Sequence, residues 1–218
     1  MLLADAGTVC ERLDLSFLRG KSVLVTGASG LLGTHFLASL KAFAGKGNDV
    51  ETVAVTRSAP PEYINALLDY GGSRVICGDL ADDGFIASLP KADVIIHAAA
   101  VSDYRLKTPF KKKISSSLKN LNLHLVPTEK LIEIIRRKNP KAFLVGFKLN
   151  APLTKKTAIK KTKAMFKRVG CNLIVANSFT RNKYSGFIIS PKKGIVGSCN
   201  SRKKMAEALV NTLNQQNL

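Results

Sequence analysis

The sequence predicts an α/β fold, a doubly wound and mainly parallel sheet with a small β-hairpin near the C-terminus, and three observations lead there. Short apolar, β-branched runs recur at 21–26 (K-S-V-L-V-T), 51–56 (E-T-V-A-V-T), 74–77 (R-V-I-C) and 92–97 (A-D-V-I-I-H). Runs that stay apolar at consecutive positions suit strands buried on both faces. Helical patterns separate these runs, as βαβ units require. Finally, a glycine-rich turn, Gly27-Ala-Ser-Gly30-Leu-Leu-Gly33, joins the first run directly to a helical pattern over 34–43. With 218 residues the chain is long enough for one domain of this class, and residues 1–218 are read as one Rossmann-like domain.

Taken in order, residues 1–20 form a lead-in with a short helical pattern and no identifiable chemistry. A G-x-x-G-x-x-G turn between strand and helix brings backbone N–H groups and the positive helix end to a phosphate, so Gly27, Gly30 and Gly33 are candidate cofactor-binding residues. The plain alternative is a tight turn. Arg57 follows the second strand where an acidic residue commonly takes ribose hydroxyls. A cation there favours a 2′-phosphate, and hence NADP over NAD, unless it is simply a solvated loop arginine. Pro60-Pro61 breaks the chain before a helix over 62–69, and helix 83–89 precedes the fourth strand. His97 lies in an apolar run and reads as a packed core histidine. Ala98-Ala99-Ala100 then marks the carboxyl end of that strand, where open α/β sheets collect ligands.

Beyond it, 121–127 alternates as a strand, Thr128 reads as an N-cap for the helix that follows, and Pro140 ends that segment. A buried strand over 141–150, an amphipathic helix over 154–169 and a strand over 172–179 come next. A hairpin from 184–190 and 194–197 and a closing helix over 201–214 complete the chain.

Composition changes near residue 100. Residues 1–100 carry 8 Lys/Arg against 11 Asp/Glu, whereas 101–218 carry 26 against 4, so the +19 net charge is a +22 second part offset by a −3 first part. Alanine falls from 15 to 7 across the same boundary and asparagine rises from 2 to 11. The lysines are scattered and have few aromatics beside them, which favours a solvated surface and, at most, nonspecific nucleic-acid attraction. No run of 18 apolar residues occurs and no basic n-region opens the chain, so a soluble cytoplasmic protein is expected, without membrane contact. Cys10, Cys77, Cys171 and Cys199 have no C-x-x-C spacing, and no metal site is expected.

Two resemblances follow from these segments. Through residue 100, the glycine turn and Gly78-Asp79-Leu80 resemble the cofactor half of an extended short-chain dehydrogenase/reductase of the NAD-dependent epimerase/dehydratase group, which implies that Asp79 sits near adenine. That family's Tyr and Lys four residues apart are absent, since Tyr63, Tyr70, Tyr104 and Tyr184 are followed at that spacing by Leu67, Arg74, Thr108 and Ile188. From Ala98 onward, A-A-A-V-S-D-Y-R, the basic K-K-K-I-S-S-S at 111–117, G-F-K-L-N at 146–150 and N-L-I-V-A-N at 172–177 resemble phosphopantothenate-cysteine ligase of coenzyme A biosynthesis.

The ligase resemblance implies nucleotide-binding roles for Asp103, Phe147 and Asn177 and a catalytic lysine at Lys113. It also implies Mg²⁺ with CTP or ATP, phosphopantothenate and cysteine as substrates, and a homodimer. Two departures stand out: Ser178 replaces an acidic residue, and the family's N-x-S-S-G-K-M-G segment is missing, which implies impaired activity. The expectation is therefore a hybrid, with residues 1–100 reductase-like and 101–218 ligase-like. Three readings stay open: a ligase-type nucleotide-binding protein, an NAD(P)-binding reductase relative without its catalytic pair, and an inactive hybrid.

Overall fold

A computed structural model describes residues 7–215, apart from 9, 13, 109, 111, 112, 116, 118, 129, 150–152 and 181. Its main sheet has eight strands: β1 (Lys21–Thr26), β2 (Val50–Thr56), β3 (Arg74–Cys77), β4 (Val94–His97), β7 (Phe143–Leu149), β8 (Leu173–Thr180), β9 (Lys183–Ser190) and β10 (Gly194–Cys199). Their spatial order is β10-β9-β8-β7-β4-β1-β2-β3. The first six in the chain pair in parallel, whereas β8–β9 and β9–β10 are antiparallel and form the expected C-terminal hairpin. Chain direction across the sheet reverses between β1 and β4, the switch point at which open α/β sheets leave a crevice.

Both faces are covered, which explains the unbroken apolar runs. Val23, Val25, Val94, Ile96, Val145 and Val175 join the core shared with helices α1 (Leu31–Ala44) and α6 (Arg202–Asn214). The intervening Leu24, Ile95, Leu144 and Ile174 point to the opposite core, shared with α4 (Leu131–Lys138) and α5 (Lys155–Val169). Two shorter helices, α2 (Glu62–Leu67) and α3 (Asp83–Ser88), flank β3. Local signals set several helix ends. Asp82 caps α3 by accepting from the Gly84 and Phe85 N–H groups, Thr154 and Thr157 form a reciprocal cap on α5, and Gly170 closes α5 at φ 69°.

The structure differs from the sequence expectation between β4 and α4. Of residues 121–127, only β6 (Leu125–Pro127) is a strand, because its partner β5 (Tyr104–Leu106) offers just three residues, in a separate antiparallel pair. Leu121, Leu123 and Leu125 are exposed, so their alternation does not face the core. Thr128 does not cap α4 either. Its N–H donates to the Asp103 carbonyl at 2.9 Å, which extends the β5–β6 ladder and moves the helix start to Leu131, with Lys130 at the cap position. Asn150, at the end of the expected strand over 141–150, lies outside the described residues, as do Lys111, Lys112 and Ser116 of the basic segment. Among the described residues no helix is long and apolar enough to cross a membrane.

Below the glycine turn, His97 Nδ1 lies 2.7 Å from the hydroxyl of the buried Thr26. Desolvation takes the His97 pKa down from 6.5 to about 4. The folded chain therefore stays neutral here over a range in which the unfolded chain takes up a proton, so stability is full above pH 6.5 and falls as pH drops toward 4. Up to about 3 kcal/mol is expected to be lost over that window. Urea unfolding of the wild type and His97→Asn at pH 7 and 4.5 checks this, and an equal pH dependence in both proteins would refute it.

Candidate functional site

A cleft of about 330 Å³ opens at the carboxyl edge of the β1–β2–β3 half of the sheet. Gly27 and Ser29 form its floor, Thr56 and Arg57 come from the end of β2, and Gly78 to Ala81 follow β3. The far wall is Ala99 to Ser102 after β4, with Tyr104 and Arg105 of β5 and Thr128 before α4. Of the five candidate cofactor-binding residues, the structure brings Gly27, Arg57 and Asp79 to this cleft, while Gly30 and Gly33 do not line it.

The three glycines have different jobs. Gly27 has φ +70°, and a Cβ there would lie 2.7 Å from the Ala99 backbone, so its missing side chain lets the turn pack onto the end of β4. Gly33 is buried, and a Cβ would come within 2.3 Å of the Gly27 carbonyl, so its missing side chain serves the docking of α1 onto the turn. Gly30 N–H donates to that same carbonyl at 3.0 Å and is spent inside the turn. Further along, the Gly78 hydrogen leaves room for the Phe85 ring. Asp79 Oδ1 accepts from the Ala81 N–H at 2.9 Å while its carboxylate stays exposed at the cleft.

The residues assigned through the ligase resemblance lie beyond this cleft. Asp103 is exposed and pairs with the Lys130 ammonium, whose hydrogen bond and charge hold the carboxyl below its usual range. Phe147 stands near the end of β7, partly buried against the α1/α6 core. Asn177 on β8 reaches the Tyr184 hydroxyl of β9, whose own pKa is raised by burial. At the departure from the family pattern, the buried Ser178 hydroxyl meets Thr180 Oγ1 at 3.0 Å, so no charge is left there to pair. Lys113 is exposed on the segment between β5 and β6 and does not line the cleft.

Sequence reasoning assigned no site role to Arg105 or Lys130, and read Thr128 only as a helix cap. Arg105 was visible as the last residue of the A-A-A-V-S-D-Y-R segment, but Thr128 meets Asp103 through a backbone bond and Lys130 through its ammonium, pairings that local pattern does not show. Among the described residues no group of three or more His, Cys, Asp or Glu could hold a metal ion. The four cysteines are free, and burial pushes the Cys171 thiol up to about 12.

The sequence profile of the DNA/pantothenate metabolism flavoprotein C-terminal domain matches residues 6–215, a range that includes the alanine-rich junction at 98–100. The coenzyme A biosynthesis bifunctional protein CoaBC of Thermococcus kodakarensis is 30% identical over 186 residues, 78% of this chain and 44% of that protein. The chain therefore spans less than half the length of that relative. A dTDP-4-dehydro-6-deoxy-D-allose reductase from Streptomyces is 31% identical over 87 residues, which cover 38% of this chain and 25% of that protein. Among solved structures, the DNA/pantothenate metabolism flavoprotein from Streptococcus pneumoniae superposes with a TM-score of 0.61 at 19% identity, covering 89% of this chain and 98% of that one. At that identity the likeness is one of fold, and it agrees with the mainly parallel sheet. One family profile spans both parts of the chain, while the reductase likeness stays confined to its 87 residues.

Proposed function

The chain belongs to the DNA/pantothenate metabolism flavoprotein C-terminal domain family, and from that premise we propose that it is a nucleotide-binding protein of the phosphopantothenate-cysteine ligase type. One observation carries this reading: Phe147 and Asn177 lie in the carboxyl-terminal halves of the adjoining strands β7 and β8, and Asp103 lies on the segment that leaves the carboxyl end of β4, directly before β5. Ligands of open α/β sheets gather along that edge. In the proposed reaction the phosphopantothenate carboxylate attacks the α-phosphorus of CTP, or ATP, expelling pyrophosphate and leaving an acyl-nucleotide. The cysteine amine then attacks the acyl carbon, and the nucleoside monophosphate departs.

Phe147 would flank the base, Asn177 would hydrogen-bond it, and Asp103 would release Lys130 to meet the nucleotide. Lys113, a compact charge on an exposed segment, would offset negative charge growing on the phosphoryl oxygens. Mg²⁺ arriving with the triphosphate would neutralise part of its charge. Such an ion suits a chain whose described residues offer no cluster of ligands for one. Without an N-x-S-S-G-K-M-G segment to grip the acyl intermediate, turnover is expected to be slow. The family's homodimer would cover exposed apolar side chains such as Leu121, Leu123 and Leu125.

With Mg²⁺ present, CTP or ATP at a hundredfold over Kd should stabilise the fold by about 2.7 kcal/mol and raise Tm by roughly 5–10 °C. Lys113→Ala should cut that shift by at least half. A melting temperature indifferent to both nucleotides would end the ligase-type reading. A second reading, a chain whose first hundred residues keep a reductase-type dinucleotide site, is favoured by the reductase match and by Gly27, Arg57 and Asp79 sharing one cleft. It is distinguished by stabilisation with NADP or NAD that Gly30→Val removes.

A further inference from the structure

Helix α5 buries Ala158, Thr162 and Val169 against the sheet and contains neither Asp nor Glu. At about 3.6 residues per turn those three set the inward direction, and Lys156, Lys160, Lys163 and Lys167 fall in line on the opposite side, all exposed. Among the described residues none of these four ammonium groups is in an ion pair, whereas Arg74, Lys130 and Arg168 each have a carboxylate partner. Like charges three and four residues apart repel along a helix, and Lys155 and Lys156 stand at its positive end, so the line works against the free helix. A surface shaped only for solubility intersperses both signs. The turn between β9 and β10 lengthens the line. Ile189 lies opposite Ile174 in the β8–β9 ladder, so this turn leaves the sheet at the edge where α5 ends and β8 begins, and Phe166, Ile189 and Ile195 share one apolar cluster. The exposed Lys192 and Lys193 therefore continue the row past the last turn of the helix.

We propose that Lys156, Lys160, Lys163 and Lys167, extended by Lys192 and Lys193, form a docking face for the backbone of double-stranded nucleic acid, without regard to base sequence. The four helical lysines cover about 17 Å of helix axis. One strand of a duplex presents about five phosphates over that length. Lysine is a compact charge suited to phosphate, and the row holds no arginine to reach base edges. Unpaired bases need aromatic rings to stack on, and the exposed Tyr63, Tyr104, Phe110 and Phe179 all lie on other elements. A bilayer needs an apolar face to take up, and a protein partner an apolar centre to bury. On the outer side of α5 the exposed Ile159 supplies neither. The row faces away from the sheet, so it is separate from the cleft at Gly27 and stands whether or not the chain catalyses ligation.

Fluorescence anisotropy of the full chain with labelled DNA duplexes, repeated between about 50 and 200 mM salt, tests this. Two duplexes of unrelated sequence should bind within twofold of each other, and log K should fall against log salt with a slope of about −5, as six neutralised phosphates require. In the Lys156→Gln/Lys160→Gln/Lys163→Gln/Lys167→Gln variant the slope should flatten to about −2 and affinity at the lowest salt should drop at least tenfold. That variant should melt no lower than the wild type, since repulsion along the helix is relieved. Lys46→Gln/Lys91→Gln/Lys119→Gln/Lys183→Gln removes the same charge from exposed lysines elsewhere and should keep the slope. Equal losses in the two variants would show that net charge alone attracts the duplex and would overturn the docking face. So would undetectable duplex binding, tighter binding to the single strand than to its duplex, or association with phosphatidylserine vesicles in place of the duplex.

Discussion

Gly27→Ala is expected to destabilise the protein by about 4 kcal/mol, a drop of roughly 10 °C or more in Tm, and to abolish ligand binding in the cleft. Two effects add. The residue sits at φ +70°, where a side chain costs about 1–2 kcal/mol. Its new Cβ would also lie 2.7 Å from both Ala99 N and Cα and 2.9 Å from Ala98 C, all backbone atoms that cannot rotate away. Overpacking of this kind costs about 1–3 kcal/mol. Gly20→Ala supplies the control, since Gly20 has φ +67° but nothing within 4 Å of a Cβ. The difference between the two variants in thermal melts therefore isolates the clash. If both fall by the same amount, the close approach of turn and β4 is not what fixes a glycine at position 27.

Much of this arrangement could be read from the chain because it is encoded locally. The four early strands are apolar on consecutive residues, and the covering of both sheet faces is the physical cause of that pattern. Thr154, Ser201 and Gly170 mark helix ends through bonds to residues within four positions, so each was visible in a short window. What escaped is non-local. Thr128 has the residue type and position of a cap, but pairing with Asp103, 25 residues earlier in the chain, keeps its backbone extended. The alternation over 121–127 is real, yet alternation cannot say whether a segment joins the main sheet or stands apart. For the same reason the motif residues Asp103, Phe147 and Asn177 could be named without showing that they lie outside the cleft of Gly27, Arg57 and Asp79.

At the opposite end of the sheet, Arg136→Met is expected to cost about 4 kcal/mol while leaving ligand affinity unchanged. The Arg136 guanidinium donates to the carbonyls of Asn139, Pro140 and Ala142 through Nη1, at 3.1, 3.0 and 2.8 Å. Through Nη2 it donates to the Gly170 carbonyl and to Asn172 Oδ1, each at 2.9 Å. Asn139 and Gly170 are the C-caps of α4 and α5, so one cation sits at the negative ends of two helices. Among the described residues no carboxylate pairs with it; partial burial lowers its pKa, oxygens accept hydrogen bonds from Nη1 and Nη2, and the buried Nε has no hydrogen-bond partner. Asn172 Oδ1 also accepts from the Leu144 N–H, so the contact links both helices to the starts of β7 and β8. Arg136→Lys keeps the charge, but an ammonium has three donors on a single atom and cannot span the five acceptors, so it should recover less than half of the loss. Because Arg136 and Gly27 lie at opposite ends of strands about 20 Å long, the two substitutions should add in urea unfolding to within about 0.5 kcal/mol. A strongly non-additive double variant would mean that the glycine turn and the Arg136 contact are coupled through the sheet and do not stabilise it independently.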